Sequence, residues 1–246
     1  MRLNQFFCTI FLIATFILIT TMIFNGLYEA SQNKLVRNLS QRYPFKSQRT
    51  KEVMLLVDRA DFTNEHPYAD FPQQIGFGAT ISAPHMHALA IDLLEPVINE
   101  DSHILDVGSG SGYLAVCFAK MVGSNGTVYG IDHIEDLVNC SKQNIRKNNA
   151  DLLDSKKLIL ILGDGRLGYP QGAPYDAIHV GAAPEEIPKA LIDQLAIGGR
   201  MVIPVGLAGE QQFLQVDKIS EKEVRKQVIT AVNYVPLTDR EQQLQL

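Results

Sequence analysis

Apolar residues in the second half of the chain fall into short runs separated by longer amphipathic stretches. The short runs, each bounded by glycine or polar residues, predict buried strands. They lie at residues 103–107, 127–131, 158–162, 176–180 and 201–205. Apolar residues at helical spacing predict three helices, one that starts at residue 113, one over 134–147 and one over 188–195. The glycine pair 198–199 stops the last of them. Strands that alternate with helices in this way predict a doubly wound α/β fold with a parallel sheet.

The flanking regions have different patterns. Residues 31–59 are amphipathic and predict two helices divided by Pro44, and a segment rich in turn residues follows at 64–72. Ser82 and Pro84 suit the start of a helix that continues through 88–97, with Ser82 as a candidate N-cap. Residues 211–235 predict a β-hairpin that turns at 220–223.

A glycine-rich turn joins the first predicted strand of the sheet to its helix. It consists of three glycines that alternate with two serines, at residues 108–112. Because glycine has no Cβ, the backbone here can lie close to a ligand, and the first N–H groups of the following helix favour an anionic group. Gly108, Ser109, Gly110 and Ser111 are therefore candidate ligand-binding residues, although an ordinary tight turn between strand and helix would have the same sequence.

The residue before the turn helps to choose between two ligands. A dinucleotide site requires a small residue at the position that Tyr113 occupies. Asp106 lies at the end of the strand, where its carboxylate would repel a pyrophosphate. The same carboxylate suits a ligand with an ammonium and a sulfonium group, as in S-adenosylmethionine. We therefore expect that ligand, and the Asp-x-Gly-x-Gly-x-Gly sequence resembles the first motif of class I methyltransferases.

Two further acids follow predicted strands. Asp132 lies 20 residues after Gly112, the spacing at which doubly wound folds place a carboxylate on ribose hydroxyls. Asp164 lies between two glycines after the third strand and could accept a hydrogen bond from an adenine amino group. Each acid alone could instead cap a helix, but three in succession at strand ends favour a ligand site.

Composition restricts the partners. The chain has 246 residues, 46% hydrophobic and 20% charged, with a net charge of −5, which indicates a folded protein and argues against nucleic acid as a partner. The cysteines at 8, 117 and 140 form no disulfide or metal-ligand pattern, and Cys117 and Cys140 are interpreted as small core residues. His85 and His87 face different directions on a helix, so we expect no metal.

The first 29 residues have the composition of a membrane segment. Residues 6–24 carry no charge, and as a helix they would span roughly 28 Å, which suits a signal anchor better than a cleaved signal peptide. Basic residues between Glu29 and Glu52 predict that the rest of the chain faces the cytoplasm. A location in the lumen of the secretory pathway is the alternative, with glycosylation sequons at Asn38, Asn125 and Asn139.

Several stretches together resemble the protein-L-isoaspartate (D-aspartate) O-methyltransferase family. The similarity covers roughly residues 30 to 240, and the N-terminal segment departs from it. The runs 76–87 and 173–183 are specific to that family, whereas the glycine turn is common to many methyltransferases. The matching runs are residues 76–87, 105–112, 130–133, 163–166, 173–183, 204–206 and 235–239.

The resemblance implies an α/β fold, a Rossmann-like class I methyltransferase sheet with N-terminal helices and a C-terminal β-hairpin, preceded by the hydrophobic N-terminal helix. Residues 1–29 would be the hydrophobic segment and 30–246 a monomeric methyltransferase domain. S-adenosylmethionine would be the cofactor, S-adenosylhomocysteine its product, and proteins with isoaspartyl or D-aspartyl residues the substrates. Ser82 would be the active-site serine. The residues implied around cofactor and substrate are Ala79, Thr80, Ile81, Ser82, His87, Asp132, His133, Asp164, Gly165, Thr238 and Gln243.

The implied reaction suits these residues. A substrate carboxylate is ionised near neutral pH, so it needs no general base to attack a sulfonium methyl group. Ser82 would then orient the carboxylate by a hydrogen bond. Two alternatives remain at this stage: a methyltransferase for another carboxylate, and a membrane-tethered S-adenosylmethionine-binding adaptor without turnover.

Overall fold

A seven-stranded sheet organises residues 32–245, the part of the chain that the computed structural model describes. Two short strands precede it and pair only with each other. The strands are β1 (Gln73–Gly76), β2 (Ala79–Ile81), β3 (His103–Val107), β4 (Thr127–Asp132), β5 (Leu158–Leu162), β6 (Tyr175–Val180), β7 (Leu195–Val205), β8 (Gln212–Ser220) and β9 (Glu223–Ala231).

The order of strands in the large sheet is β5-β4-β3-β6-β7-β8-β9. The first five run parallel. The β8–β9 hairpin extends the sheet, with β8 antiparallel to β7 and β9 antiparallel to β8. The chain moves outward from β3 to β5 and then returns to the other side of β3 with β6. This order confirms the predicted Rossmann-like methyltransferase architecture, including the C-terminal hairpin.

Helices connect the parallel strands and precede the sheet. Pro44 lies between the first two helices, as predicted. The helices are α1 (residues 32–42), α2 (Gln48–Leu56), α3 (Pro84–Leu94), α4 (Tyr113–Met121), α5 (Glu135–Asn148), α6 (Ala150–Asp154), α7 (Lys189–Gln194) and α8 (Arg240–Gln243). Short 3-10 turns occur at Arg59–Asp61, Glu95–Val97, Gly165–Leu167 and Pro170–Gly172.

Side chains on both faces of β3 are buried, as expected for a central parallel strand. Ile104 packs with α2, α3 and α4, whereas Leu105 and Val107 pack in a second cluster with β6 and β7. Asp106 shares the face of Ile104 and is also buried. The strand that carries the key carboxylate is therefore held firmly between two apolar layers.

The residues after β9 cross back to the centre of the sheet. Ala183, just beyond β6, donates to the carbonyl of Val235 at 2.8 Å and accepts from the N–H of Leu237 at 2.8 Å. This short parallel contact fixes residues 235–237 beside the carboxyl end of β6. The C-terminal segment thereby becomes a wall of the candidate site.

One predicted boundary was wrong. The helix predicted at 188–195 ends at Gln194, and β7 begins at Leu195 instead of Met201. Tyr175 pairs with Leu195 but Ala177 pairs with Arg200, so the residues between bulge out of the ladder. Gly198 has a φ of +83°, a conformation that glycine adopts without strain, which is why the glycine pair occurs within a strand.

Two side-chain predictions also failed. Helix α3 begins at Pro84 as expected, but Ala83 is its N-cap, so Ser82 is not a cap and has another role. Cys117 is buried, but Cys140 is exposed because it lies on the polar side of α5. The β1–β2 pair was not predicted, since its strands are only four and three residues long.

The predicted membrane segment at residues 6–24 lies outside the described residues. Between residues 32 and 245, no helix combines the length and apolar character needed to cross a membrane.

Candidate functional site

The candidate site lies at the carboxyl ends of β3, β4 and β6. Between β3 and β6 the strand order reverses, and the crevice at such a switch point is where open α/β sheets bind ligands. Asp106 near the end of β3 and Asp132 at the end of β4 both reach this edge. Asp164 lies two residues beyond β5.

The glycine loop adopts backbone conformations that only glycine tolerates well. Gly108, Gly110 and Gly112 have φ values of +70°, +49° and +87°. A Cβ on Gly108 would meet nothing closer than the Gly181 backbone at 3.9 Å, so packing does not explain that glycine. The N-cap of α4 is Gly112, which has no side chain, and only the Tyr113 N–H meets a nearby hydroxyl, that of Ser111 at 3.4 Å. The loop therefore leaves room for a ligand beside the start of a helix.

Neighbouring strand β4 braces the loop. The N–H groups of Gly108 and Ser109 both donate to the Ile131 carbonyl, at 2.9 and 3.1 Å. The Gly110 N–H donates to Asp132 Oδ2 at 3.1 Å. These N–H groups hold the loop in place and are not free for a ligand.

Asp106 and His179 form a buried pair on adjacent strands. His179 Nδ1 lies 2.7 Å from Asp106 Oδ1. Asp106 is only 1% exposed, and its second oxygen, Oδ2, has no hydrogen-bond partner among the described residues. A buried carboxylate oxygen without a donor is costly, so this atom marks a position for a ligand donor or cation.

Asp132 is buried as well. Its Oδ1 accepts from the Ile134 N–H at 3.0 Å, so the carboxylate links the glycine loop to the start of α5. Burial raises the pKa of this carboxyl, and the two backbone donors oppose the shift. The N-cap of α5 is Ile134, so Asp132 is not a helix cap, and each of its oxygens keeps a lone pair for a ribose hydroxyl.

A cavity of about 330 Å³ lies beyond the ends of β4 and β5. His133 and Asp164 line it together with Leu162 and Arg166. Asp164 is held by the Arg166 guanidinium, with Nη2 at 2.7 Å from Oδ2, and these hydrogen bonds lower the pKa of the carboxyl. Gly165 lies against β3, since a Cβ there would come within 2.5 Å of Val107.

Ser82 lies between two cavities. A small cavity of about 30 Å³ contains the predicted residues Thr80, Ile81, Ser82, His87, Asp106, Gly108, Ser109, Gly110 and Ser111. A cavity of about 230 Å³ on the other side is lined by Thr80, Ser82, His85, Met86 and the segment 231–234. Ser82 and Thr80 are common to both, so their side chains separate the glycine-loop side from a second binding space.

The C-terminal residue Gln243 contacts the site just after the end of β4. Gln243 Oε1 lies 2.5 Å from His133 Nε2, and Gln243 Nε2 donates to the Phe77 carbonyl at 3.0 Å. Gln243 thus ties the tip between β1 and β2 to the end of β4. Thr238 bonds the Gln242 side chain instead, and Ala79 packs in an apolar cluster with Ile134 and Leu137. Neither of these two lines the cavities described above.

Three residues around Ser82 were not predicted, namely Arg59, Tyr113 and Tyr234. Arg59 donates to the Ser82 carbonyl at 2.8 Å, His87 contacts the same guanidinium, and the ring of Tyr113 lies beneath both. Tyr234 lies beside Ser82; burial raises the pKa of its phenol to about 12, and a hydrogen bond with the Ser82 side chain opposes that shift. The signal for Tyr234 was its place just before run 235–239, whereas nothing local marks Arg59.

His85 and His87 turn to opposite sides, as their spacing predicts. His85 Nδ1 lies 2.8 Å from Asp70 Oδ1 and its ring stacks on Tyr43 at 5.0 Å. Among residues 32–245, no three metal-ligating side chains lie close enough together to hold an ion.

Comparisons with known proteins match nearly the whole described chain. A sequence model described as "Protein-L-isoaspartate(D-aspartate) O-methyltransferase (PCMT)" matches residues 30–242. A protein-L-isoaspartate O-methyltransferase from Caenorhabditis elegans is 52% identical over 215 residues, which is 87% of this chain and 95% of that protein. One from Triticum aestivum is 49% identical, covering 87% of this chain and 94% of its own length.

Solved structures agree. A putative protein-L-isoaspartate O-methyltransferase from Plasmodium falciparum, in complex with S-adenosyl-L-homocysteine, superposes with a TM-score of 0.80 at 35% identity. The match covers 85% of this chain and 98% of that one.

Proposed function

The chain belongs to the protein-L-isoaspartate(D-aspartate) O-methyltransferase family and catalyses S-adenosylmethionine-dependent methylation of isoaspartyl residues in damaged proteins, and we propose how its own residues carry this out. The observation that carries the proposal is the position of Ser82 between two cavities, one lined by the glycine loop and one lined by the start of α3 and residues 231–234. We propose that the catalytic unit is residues 30–246, that it acts as a monomer, and that it accepts D-aspartyl residues too.

The residues at the end of β3 fit the cofactor. When bound, S-adenosylmethionine supplies an electrophilic methyl group on a sulfonium. Asp106 Oδ2, buried and without a protein donor, suits the ammonium group of the cofactor. The open loop around Gly108 and the start of α4, where the N-cap glycine offers no side chain, suit its carboxylate.

The remaining predicted residues would hold the nucleoside. Asp132 has lone pairs for ribose hydroxyls at the end of β4, and His133 follows it. Asp164 and Gly165 lie where an adenine would meet the turn after β5. Thr80, Ile81 and His87 would enclose the reacting end of the cofactor, with Ala79 supporting them from the core. Gln243 would close the nucleoside side, and Thr238 would orient the segment before α8.

Ser82 orients the nucleophile in this proposal. A substrate carboxylate has an ordinary pKa near 4, so it is ionised at neutral pH and no residue must remove a proton. The Ser82 hydroxyl donates to one carboxylate oxygen and leaves the other directed at the methyl group. Catalysis then depends on alignment and on exclusion of water by Thr80 and Tyr234. The new carbon–oxygen bond forms as the carbon–sulfur bond breaks.

Repair follows without further catalysis. In the methyl ester, the nitrogen of the following peptide bond attacks the ester carbonyl, and methanol leaves with the amide proton. The resulting succinimide hydrolyses to aspartyl or isoaspartyl peptide. Repeated cycles therefore convert the damaged linkage to the normal one.

A pair of matched peptides tests this function. Methyl transfer is measured to an isoaspartyl peptide and to its normal aspartyl twin, with labelled S-adenosylmethionine. We expect esterification of the isoaspartyl peptide alone, because the 230 Å³ cavity beside Ser82 must distinguish the two carboxylate positions. Equal methylation of both peptides, or of neither, would contradict the proposal.

We further propose that residues 6–24 anchor the protein with its catalytic unit in the cytoplasm. The absence of charge from residue 3 to residue 28 and the exposed basic residues Lys34, Arg37 and Arg42 support this orientation. The competing lumenal location would place the exposed sequon residues Asn38, Asn125 and Asn139 among glycosylation enzymes. Protease treatment of sealed microsomes should digest the catalytic unit, whereas protection, or a mass shift with endoglycosidase, would overturn the cytoplasmic orientation.

A further inference from the structure

Arg59 is a buried cation with no ion-pair partner among the described residues. Its side chain is fully buried, at 0% exposure. It is the first residue of the 3-10 turn Arg59–Asp61, which follows α2. Burial lowers the pKa of its guanidinium only to about 10, so the group stays charged at neutral pH. Because a buried charge without a counter-ion is costly, the reason for this residue must lie in what it holds.

Its hydrogen bonds lead directly to the reaction side of the site. Nη2 donates to the Ser82 carbonyl at 2.8 Å, and Nη1 lies 3.2 Å from His87 Nδ1. The guanidinium carbon lies 5.6 Å from the centre of the Tyr113 ring, and the His87 ring lies 4.8 Å from that same ring. Arg59 and His87 therefore share one aromatic support at the start of α4 and meet each other above it.

The contact with His87 determines where the imidazole proton lies. A guanidinium has only donors, so His87 Nδ1 must accept, and the ring proton must be on Nε2. Burial lowers the pKa of His87 well below its usual range, and the Arg59 charge lowers it further. His179 and His85 also lower it, and Asp106, the carboxylate in the same small cavity, is already bonded to His179.

We propose that Arg59 is a positioning residue for methyl transfer, which holds Ser82 by its carbonyl and fixes His87 as the neutral Nε2–H tautomer. Both residues line the small cavity that also contains Asp106. The result is two fixed donors on one wall, the Ser82 hydroxyl and the His87 Nε2–H, for the carboxylate of the substrate. The inference rests on the role proposed above for Ser82 and assigns Arg59 no contact with substrate.

The first test reads the tautomer without any need for activity. Long-range ¹⁵N–¹H spectra of the full chain, with the His87 signals assigned by their loss in His87→Gln, should show a proton on Nε2 and a bare Nδ1 from pH 6 to pH 8. A proton on Nδ1 would overturn the proposal. Failure of the isoaspartyl assay would instead overturn the proposed function and leave this spectrum unchanged, so the two failures are distinguishable.

The second test compares Arg59 with Arg49, a half-buried arginine that also donates to backbone carbonyls. Arg59→Met should lower kcat for an isoaspartyl peptide roughly tenfold to a hundredfold, because misalignment of reacting groups by a fraction of an ångström has effects of that size. The affinity for S-adenosylhomocysteine should change by less than about threefold. Arg59→Lys, which keeps a cationic donor, should recover part of kcat.

Arg49 provides the matched control. Its guanidinium also donates to two backbone carbonyls, those of Ile98 and Met121, but on a part of the protein away from Ser82. Arg49→Met should lower the melting temperature and leave kcat near that of the wild type. If Arg59→Met lowers kcat no more than Arg49→Met does, Arg59 is a structural residue only and the proposal is wrong.

Discussion

The wall of the site formed by β3, β4 and the glycine loop consists of backbone groups and buried carboxylates, whereas the wall at the start of α3 depends on side chains from distant segments. On the first wall, the loop N–H groups bond to the end of β4. Strand β3, which carries Asp106, packs between two apolar clusters. On the second, Ser82 meets Arg59 and Tyr234, 23 residues before it and 152 after it in the chain. Residues close together in the sequence thus form the cofactor-binding wall, whereas the wall that aligns the substrate carboxylate depends on contacts between distant segments.

The largest effect should come from the carboxylate of the first wall. Asp106→Asn keeps the shape of the side chain but removes the charge that Oδ2 offers to an ammonium group. We expect the affinity for S-adenosylhomocysteine to fall by about 2 kcal/mol, roughly thirtyfold, measured by calorimetry. Asp176→Asn is the control, because Asp176 bonds the His103 N–H at the other end of β3. It should cost stability without a loss of affinity. Equal affinity losses in both variants would mean that Asp106 has no special role.

The glycine loop allows a comparison of two glycines with nearly equal backbone angles. Gly112 and Gly209 have φ values of +87° and +86°, but a Cβ on Gly112 would lie 3.2 Å from Ser141 and Ile145, whereas one on Gly209 meets nothing within 4 Å. Gly209→Ala should cost about 1 kcal/mol of unfolding free energy from backbone strain alone. Gly112→Ala should cost about 2 kcal/mol, since packing strain is added, and only it should weaken cofactor binding. Denaturant unfolding measures both free energies of unfolding. Equal losses in the two variants would show that the loop is not tightly packed on α5.

The second wall contributes a pH dependence. The folded protein keeps His87 unprotonated, while the unfolded chain takes up a proton near pH 6.5, so stability should fall as pH drops below 6.5. We expect a loss of about 1 kcal/mol between pH 6.5 and 5.5 that is absent in His87→Gln. His66→Gln, at an exposed position, should retain the wild-type slope. The same slope in all three proteins would show that His87 titrates normally.

The smallest effect should come from the C-terminal contact that joins the walls. Gln243→Ala removes the link between His133 and the Phe77 carbonyl and should weaken binding of S-adenosylhomocysteine roughly threefold, about 0.7 kcal/mol. Gln245→Ala, at an exposed position two residues later, should have no effect. A loss in both variants would indicate that the whole C-terminal segment, and not this side chain, matters.

The same contrast explains what the sequence could predict. The strands, the glycine loop and the acids Asp106, Asp132 and Asp164 were predictable because a strand and the turn after it are adjacent in sequence. The fold followed from their alternation. Arg59 was not predictable, because its partners Ser82 and His87 are 23 and 28 residues away and no local pattern distinguishes it from a surface arginine.

Boundaries failed where a tertiary contact overrode the local pattern. A helix was predicted over residues 188–195 with a stop at the glycine pair, but pairing with β6 draws residues 195–200 into β7 with a bulge at the glycines. Ser82 looked like a helix cap because it precedes a proline by two positions, and only the structure shows that Ala83 occupies the cap. Cys140 looked like a core residue because α5 is amphipathic and its orientation was unknown.

The most direct test of this division between binding and alignment is one variant measured twice. In Ser82→Ala, we predict that kcat for an isoaspartyl peptide falls roughly tenfold to a hundredfold while the calorimetric affinity for S-adenosylhomocysteine stays within about twofold of the wild type. Ser82 would then act on the incoming carboxylate alone. Loss of cofactor affinity in step with kcat would contradict the account, because it would place Ser82 in the binding wall.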